Sequence, residues 1–561
     1  MTFIPSSRRR FVQGLALAGL AGGLGAPRAW AEPKVLSGPQ IDLSIGPVPV
    51  NITGRARVAT GVNGQTPAPI LRLREGDEAT IAVTNRLAEP TSIHWHGLRL
   101  PSDQDGVPGL SFRGIMPGET FTYRFPVRQA GTYWYHGHSG MQEQTGLYGA
   151  LILEPRAGER HGADREHVIL LSDWTDADPM AIVANLKQES DYYNHGRRTL
   201  GDLAHEARDH GLKAALSDAA AWGRMRMSQT DILDVGGAAY TYLVNGSSPA
   251  ANWTGLFAPG ERVRLRVING AAMTLFDLRI EGLMLSAIAA DGSDVEPIEV
   301  EELRIGPGET YDLIVQPRED RAYTVFAQAQ DRSGYARATL APRLGMAGPI
   351  PQMDPRPQRS MADMGMGGGM AGMDMSNMKD MPGMKMDAPA DPSAARLKGM
   401  VNVDNVAAGP SSRMAEAGGG LDGDDRRALT YADLKPLGPA PALTPAREIL
   451  LHLTGNMERW TWGFDGRKFS QAPPIRIALG ETVRFVLVND TMMEHPIHLH
   501  GFLVQLENGQ TGALPLKHTL TVKPAERAAF VFTADTPGYW AFHCHLMLHM
   551  ETGMFRTVVV A

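Results

Sequence analysis

The chain has 561 residues, a formal net charge of −7 at pH 7 and a hydrophobic content of 43%. This length predicts roughly three to four domains. The charge gives no support for nucleic-acid binding, although a mildly acidic protein is suited to handling cations. A single cysteine excludes an internal disulfide, so in an exported protein the thiol needs another role, and metal ligation provides one.

The N-terminus has the pattern of an export signal. A twin arginine at Arg8 and Arg9 precedes a Gly/Ala-rich apolar stretch from Leu15 to Ala26, and Ala29-Trp30-Ala31 is a small-x-small cleavage site. The stretch is too short and too rich in glycine for a stable membrane span. We therefore predict a twin-arginine signal peptide at residues 1–31 and a periplasmic mature protein without a membrane span.

A repeat runs through the rest of the chain, with copies that begin at Gly76, Gly260 and Gly480. Each copy reaches an asparagine at the same distance from its glycine, and later a Pro-Gly-Glu-like turn. Two further positions share one spacing in all copies: His94 and His96 in the first, Leu278 and Ile280 in the second, and His498 and His500 in the third. The second copy therefore lacks the His-x-His pair.

The segments between these markers alternate apolar and polar residues, as in Thr80-Ile81-Ala82-Val83-Thr84. Short period-two strands separated by Gly/Pro turns indicate all-β sandwiches or barrels. We predict three such domains, at residues 33–157, 165–345 and 445–561. An Ala/Leu-rich stretch from about Pro179 to Trp222 predicts a helical insertion in domain 2. Residues 348–439, rich in Gly, Pro, Met and Asp, predict a flexible Met-rich insert before domain 3.

Cys544 lies in a pattern typical of blue copper proteins. Histidine flanks it on both sides, His549 follows five residues later and Met554 ten residues later. A thiolate, imidazoles and a weak axial thioether form the copper site that transfers electrons. Such a site needs a second histidine, and His495 offers one.

Domains 1 and 3 differ at this site and agree elsewhere. The four proposed blue-copper ligands align with Thr91, Gly137, Gln142 and Leu147 in domain 1, so the blue site belongs to domain 3 alone. Domains 1 and 3 nevertheless each carry two His-x-His pairs, which gives eight histidines in total. Eight imidazoles are too many for one metal and suit a cluster of about three. These residues are His94, His96, His136, His138, His498, His500, His543 and His545.

The four histidine motifs resemble those of the multicopper oxidases, the family of laccases and ascorbate oxidase. Residues 226–231, 240–246 and 455–459 and the Met-rich insert resemble the periplasmic copper-resistance members. The resemblance implies three cupredoxin-like Greek-key β-barrel domains and four copper ions. It assigns type 1 copper to His495, Cys544, His549 and Met554, type 2 copper to His94 and His498, one type 3 copper to His96, His136 and His543, and the other to His138, His500 and His545.

The resemblance also implies an oxidase mechanism. Substrate electrons enter at type 1 copper, beside His495 and His549, which we expect to lie nearest the surface. They pass from Cys544 through His543 and His545 to the cluster, where dioxygen is reduced to water. Asp105 matches the family's acidic residue near the cluster and is our candidate proton relay. Some bacterial relatives carry a glutamate directly after the last blue-copper histidine, but here that position is Met550.

The sequence leaves three functions open: oxidation of Cu(I) in copper resistance, laccase-type oxidation of phenols, and sequestration of copper. Ten methionines lie between Met361 and Met386, including Met373, Met375 and Met378, and thioethers prefer Cu(I). Met493 matches a substrate-copper ligand of related cuprous oxidases, with Met492 and Asp490 as its neighbours. We expect dioxygen and either Cu(I) or a small phenol as partners, other periplasmic copper-resistance proteins as further partners, and a monomer.

Overall fold

The computed structural model describes residues 33–194, 196–225, 227–361, 363, 392–422, 425–438, 440 and 443–561. Over these residues the chain forms six β-sheets, two in each of three successive domains, together with five α-helices. The predicted all-β architecture is confirmed. None of the described helices is long and apolar enough to cross a membrane.

Domain 1 consists of a five-stranded sheet and a four-stranded sheet. Its strands alternate buried and accessible side chains, as the period-two pattern predicts. In chain order they are β1 Val35–Ser37, β2 Gln40–Val50, β3 Arg57–Val62, β4 Ile70–Arg74, β5 Glu78–Asn85, β6 His94–His96, β7 Thr120–Pro126, β8 Gly131–His136 and β9 Tyr148–Glu154. A 3-10 turn, Ser102–Gln104, follows β6.

Domain 2 pairs a six-stranded sheet with a five-stranded sheet. Its strands are β10 Arg165–Trp174, β11 Thr241–Val244, β12 Thr254–Leu256, β13 Val263–Asn269, β14 Phe276–Ile280, β15 Leu285–Ala290, β16 Ser293–Val300, β17 Glu302–Ile305, β18 Thr310–Val315, β19 Tyr323–Ala329 and β20 Tyr335–Ala341. The predicted helical insertion is present between β10 and β11. It consists of α1 Pro179–Gln188, α2 Leu200–His210 and α3 Leu212–Met225.

Domain 3 also has a six-stranded and a five-stranded sheet. Its strands are β21 Arg447–Asn456, β22 Thr461–Phe464, β23 Ile475–Ile477, β24 Thr482–Asn489, β25 His495–Leu499, β26 Val504–Leu506, β27 Leu516–Lys517, β28 Thr519–Val522, β29 Arg527–Thr533, β30 Gly538–Cys544 and β31 Phe555–Val560. The remaining helices are α4 Pro392–Leu397, which precedes this domain, and α5 Met547–Thr552, which follows β30. Two 3-10 turns are Tyr431–Asp433 and Phe469–Gln471.

The internal repeat is visible in the sheet topology. The sheets of domain 2 run β11-β10-β13-β18-β15-β16 and β12-β20-β19-β14-β17, and those of domain 3 follow the same order eleven strands later. Strand β14 therefore corresponds to β25. In β14 the two histidine positions hold Leu278 and Ile280, which are 0% and 1% exposed in the core. The positions that hold histidine in domain 3 are therefore core positions in domain 2.

The interpretation of residues 348–439 as one flexible insert is too broad. Leu397 and Leu434 are fully buried, and Tyr431 donates a hydrogen bond of 2.6 Å to Glu309 Oε1 in domain 2. The Tyr431 hydroxyl also accepts one of 2.9 Å from the backbone N–H of Thr521 in domain 3. A few apolar and aromatic residues are thus enough to pack this Gly/Pro-rich segment against domains 2 and 3. Met373, Met375 and Met378 lie outside the described residues.

Candidate metal centres

Four chain segments of domain 3 bring the predicted blue-copper residues together. His495 begins β25, Cys544 ends β30 and His549 lies on α5. Cys544 Sγ is 3.6 Å from His495 Nδ1 and 3.9 Å from His549 Nδ1, and the two Nδ1 atoms are 3.3 Å apart. Met554 is fully buried and its carbonyl accepts a 3.1 Å hydrogen bond from the Cys544 N–H. One sulfur and two nitrogens therefore converge on one point.

The other nitrogen of each imidazole is held by the protein. Thr491 Oγ1 lies 2.7 Å from His495 Nε2, and Asp234 Oδ2 lies 2.7 Å from His549 Nε2. Asp234 also accepts a 2.8 Å hydrogen bond from the indole N–H of Trp460. Such partners fix the ring orientation and leave the opposite nitrogen for a metal. Sequence reasoning missed Asp234, which comes from domain 2.

His495 and His549, the ligands that we expect to lie nearest the surface, have no contact with solvent. Both side chains are 0% exposed. Trp462 stacks on His549 with ring centroids 3.9 Å apart, and it meets His495 edge-on at 5.3 Å. Because Trp462 and Asp234 cover the two imidazoles, neither imidazole has an edge that faces solvent.

The eight His-x-His residues meet between domains 1 and 3. Their ligand atoms form three groups in which every pair lies within 4.8 Å, and all residues except His138 are buried. The groups are His94, His96 and His498; His96, His136 and His545; and His138, His500 and His543. This convergence of two domains is the pseudo-symmetric contact that the sequence predicts.

The grouping differs from the predicted assignment in one respect. His543 lies with His138 and His500, and its Nε2 is 2.9 Å from His500 Nε2. His545 instead packs against His96 and His136, at centroid distances of 4.9 and 5.2 Å. Relative to the prediction, His543 and His545 exchange groups. The reason is that His543 still belongs to β30, beside β25 of its own domain. His545 lies beyond the end of that strand and reaches into domain 1.

The nitrogens of the eight rings fit metal ligation. In several rings Nδ1 faces a backbone carbonyl, as in His94 with Asp105 at 2.8 Å and His498 with His518 at 2.6 Å. The Nε2 atoms of these two rings are buried and have no hydrogen-bond partner among the described residues. The same is true of five further nitrogens: Nδ1 of His96, Nε2 of His136, Nε2 of His138, and both nitrogens of His545. Buried polar atoms are normally paired, so this many orphaned lone pairs in one place indicates a cation site.

Burial also keeps the ligands in the required protonation state. It lowers the pKa of His136, His498 and His500 well below the ordinary value, and neighbouring imidazoles add to the effect. Burial brings the pKa of His545 to about 3. Neutral imidazoles coordinate metals, whereas imidazolium does not. Burial raises the pKa of the Cys544 thiol, so a cation is needed to stabilise its thiolate.

Two buried carboxylates flank the cluster. Asp105 Oδ2 lies 2.9 Å from His500 Nδ1 and Oδ1 lies 3.3 Å from His94 Nδ1. Glu143 Oε2 lies 2.6 Å from His136 Nδ1, and burial raises the pKa of Glu143 to about 7. Sequence reasoning missed Glu143. The alignment of the two copies contains the signal, since Glu143 in domain 1 matches Met550 in domain 3.

The residues that we predict to bind a substrate ion, two methionines and an aspartate, have different surroundings. Met492 and Met493 are each 1% exposed and lie in the loop that leads into β25. The Asp490 carboxylate is engaged elsewhere, because its Oδ2 lies 2.7 Å from His452 Nδ1 and its Oδ1 accepts a 2.9 Å hydrogen bond from the Ala407 N–H.

Comparison with known proteins agrees with this geometry. Family models for multicopper oxidase match residues 44–158, 165–343 and 442–561. Copper resistance protein A of Pseudomonas syringae pv. tomato is 49% identical over 606 residues, covering 99% of each chain. The chain belongs to the multicopper oxidase family. A protein of the same name from Escherichia coli is 48% identical, again over 99% of each chain.

Solved structures of multicopper oxidases share the fold. One from Pseudomonas thermotolerans superposes with a TM-score of 0.60 at 23% identity, covering 94% of this chain and 100% of that chain. Fet3p, a multicopper oxidase that functions in iron import, gives 0.64 at 20% identity, covering 94% and 90%. The prediction of three cupredoxin-like domains is confirmed, and the protein is an oxidoreductase whose family implies copper.

We expect Asp234→Asn to raise the reduction potential of the blue site while the blue colour is kept. The amide can still accept from His549 Nε2, but it removes a negative charge that favours the oxidised metal. A redox titration followed by the blue absorption measures the shift. Asp331→Asn is the matched control, since Asp331 is a buried aspartate of domain 2 whose carboxylate instead accepts from Ser333. An unchanged potential in Asp234→Asn would contradict the assignment.

Proposed function

We propose that this multicopper oxidase oxidises Cu(I) in copper resistance and uses dioxygen as the electron acceptor. The observation that carries the proposal is the complete burial of His495 and His549. A phenol must bring its ring into contact with an exposed imidazole edge, whereas a single ion held by thioethers needs much less space. The similarity to copper resistance protein A over 99% of each chain supports the same role.

We propose twelve ligand positions for four copper ions. Type 1 copper takes His495, Cys544, His549 and Met554, and type 2 copper takes His94 and His498. One type 3 copper takes His96, His136 and His545, and the other takes His138, His500 and His543, in line with the groups of converging nitrogens. When bound, copper supplies one-electron transfer at the first site and four-electron reduction of dioxygen to water at the cluster.

The chain itself provides the electron path. Cys544 is joined by peptide bonds to His543 and His545, one of which lies in each type 3 group. The thiolate is therefore connected to both groups through a few covalent bonds. Since all three side chains are buried, the path excludes water. We propose that the cysteine and the two histidines act as one conducting unit.

Cys544→Ser should remove the blue absorption and stop steady-state oxidation of every substrate. The hydroxyl supplies neither the thiolate that gives the colour nor the covalent sulfur path. Absorption spectroscopy and oxygen consumption measure the two losses, and metal analysis should still find copper bound by the eight histidines. A variant that stayed blue would refute the type 1 assignment.

Asp105 is our candidate for proton delivery, since its two carboxylate oxygens face His500 and His94. Asp105→Asn should slow turnover by about 100-fold or more, because an amide of the same size does not carry protons. Copper content and the blue band should stay at parental levels. Asp103→Asn, an exposed aspartate two residues earlier, is the control. Normal turnover in Asp105→Asn would leave this residue as a structural partner of the histidines only.

Met493 distinguishes Cu(I) oxidation from phenol oxidation. Met493→Leu should raise KM for Cu(I) about tenfold, the effect of losing one contact of about 1.4 kcal/mol. Oxidation of dimethoxyphenol should not change, and Met414→Leu, a second buried methionine, should resemble the parent with both substrates. Equal Cu(I) kinetics in parent and Met493→Leu, with efficient phenol turnover, would favour a laccase. Copper binding without oxygen consumption would favour sequestration.

We further propose that the protein works in the periplasm, on the evidence of the twin arginine and cleavage site within residues 1–31. These residues lie outside the described structure.

A further inference from the structure

Domain 2 reaches the histidine cluster although it contributes no cluster histidine. Its turn places Gly308 against the rings, at a backbone φ of 88°. A Cβ at Gly308 would lie 2.9 Å from His545 Cδ2 and 3.2 Å from His96 Cε1, so only glycine allows this approach. The Gly308 carbonyl is thereby brought to the domain 3 residue Thr519, which begins β28.

The hydroxyl of Thr519 has three polar neighbours. Its O–H group donates to the Gly308 carbonyl at 3.5 Å. Oγ1 also lies 3.1 Å from His96 Nε2 and 3.1 Å from His518 Nδ1. A hydroxyl has one proton to donate and two lone pairs to accept with. Oγ1 is therefore the hydrogen-bond partner of His96 Nε2.

This arrangement decides which nitrogen of His96 is left for a metal. Nε2 faces Oγ1, and a neutral ring that ligates a metal through Nδ1 carries its proton on Nε2, where it can donate to that hydroxyl. In the structure Nδ1 of His96 is buried and has no hydrogen-bond partner among the described residues. His94, His498 and His543 are held in the opposite sense, with Nδ1 facing a carbonyl. His96 therefore presents a different nitrogen from these three ligands.

Domain 2 also fixes the backbone that carries Thr519. Asp291 Oδ2 accepts hydrogen bonds of 3.0 Å from the N–H groups of His518 and Thr519. The same oxygen lies 3.2 Å from Lys517 Nζ, whose ammonium is also 2.9 Å from Glu309 Oε1. All of these groups are buried, so the start of β28 is held by paired charges that tolerate little displacement.

We propose that Thr519 is a positioning residue that holds the His96 ring at Nε2, with Gly308 and Asp291 of domain 2 keeping Thr519 in that place. The inference rests on the proposed ligand role of His96. Domain 2 thus completes the cluster through the orientation of one ligand of domain 1, without supplying any ligand. Loss of the hydroxyl frees the ring to turn or to change tautomer, which weakens one copper position of the three.

The test compares three variants of the full-length mature protein reconstituted with copper. Thr519→Val removes the hydroxyl with little change in shape, and Thr519→Ser keeps it. Thr521→Val is the matched control, because Thr521 is buried on the same strand and its hydroxyl donates to Glu309 Oε2 at 3.1 Å, away from the histidines. Affinity for copper is measured by competition with a chelator, and coupling of the type 3 pair by electron paramagnetic resonance.

We expect Thr519→Val to bind one copper about 10- to 100-fold more weakly, the usual cost of losing a partner of a metal ligand. Its paramagnetic copper should increase as the pair loses coupling, while the blue absorption stays at the parental level. Thr519→Ser and Thr521→Val should resemble the parent. Parental affinity and coupling in Thr519→Val would overturn the proposal, and so would an equal loss in Thr521→Val. A parent protein that bound no copper at the cluster would instead refute the proposed function.

Discussion

The structure depends on the burial of imidazoles that the protein satisfies on one side only. A buried ring nitrogen without a partner costs free energy, and here several such atoms face one another between two domains. The clearest case is the 2.9 Å separation of His500 Nε2 and His543 Nε2, where both opposite nitrogens already have oxygen neighbours. The polypeptide alone gains nothing from this arrangement. Its cost is offset only when a cation accepts the lone pairs, so the fold and the metal stabilise each other.

This constraint explains why the three domains have different roles at the site. One cupredoxin-like domain presents its histidine pairs at one edge and cannot enclose them, so domains 1 and 3 must face each other. Domain 2 carries Leu278 and Ile280 at the corresponding positions, where both are buried in its core. It has kept the contacts that surround the two sites, with Asp234 at the blue site and Gly308 at the cluster. The repeat without cluster histidines thus supports the histidines of the other two domains.

The sequence identifies the histidines and the cysteine that the structure brings together, but it does not identify their hydrogen-bond partners, for a physical reason. His-x-His spacing and the single cysteine are local patterns, and copper chemistry restricts what they mean. Asp234 is 315 positions from His549, and no local pattern reports a contact over that separation. The interchange of His543 and His545 depends on where β30 ends, which spacing alone does not determine. Glu143 is an intermediate case, since the domain 1 copy carries the carboxylate that is missing at Met550 in domain 3.

The burial of the two imidazoles at the blue-copper position also bears on the proposed substrate. The two blue-site imidazoles differ in their outer partners, with a neutral hydroxyl at His495 and a carboxylate at His549. Trp460 and Trp462 close the site on the side of His549, because one is hydrogen-bonded to Asp234 and the other is stacked on the ring. The loop with Met492 and Met493 leads directly into His495, and Oε1 of Glu494, the residue between them, accepts hydrogen bonds from Arg304 and Gln330. Under the proposed function, a soft cation can exchange water for thioether ligands at little cost, whereas a phenol would have to displace Trp462 to contact either imidazole. The enclosure of both imidazoles by aromatic side chains therefore supports the proposed preference for a small ion over a phenol ring.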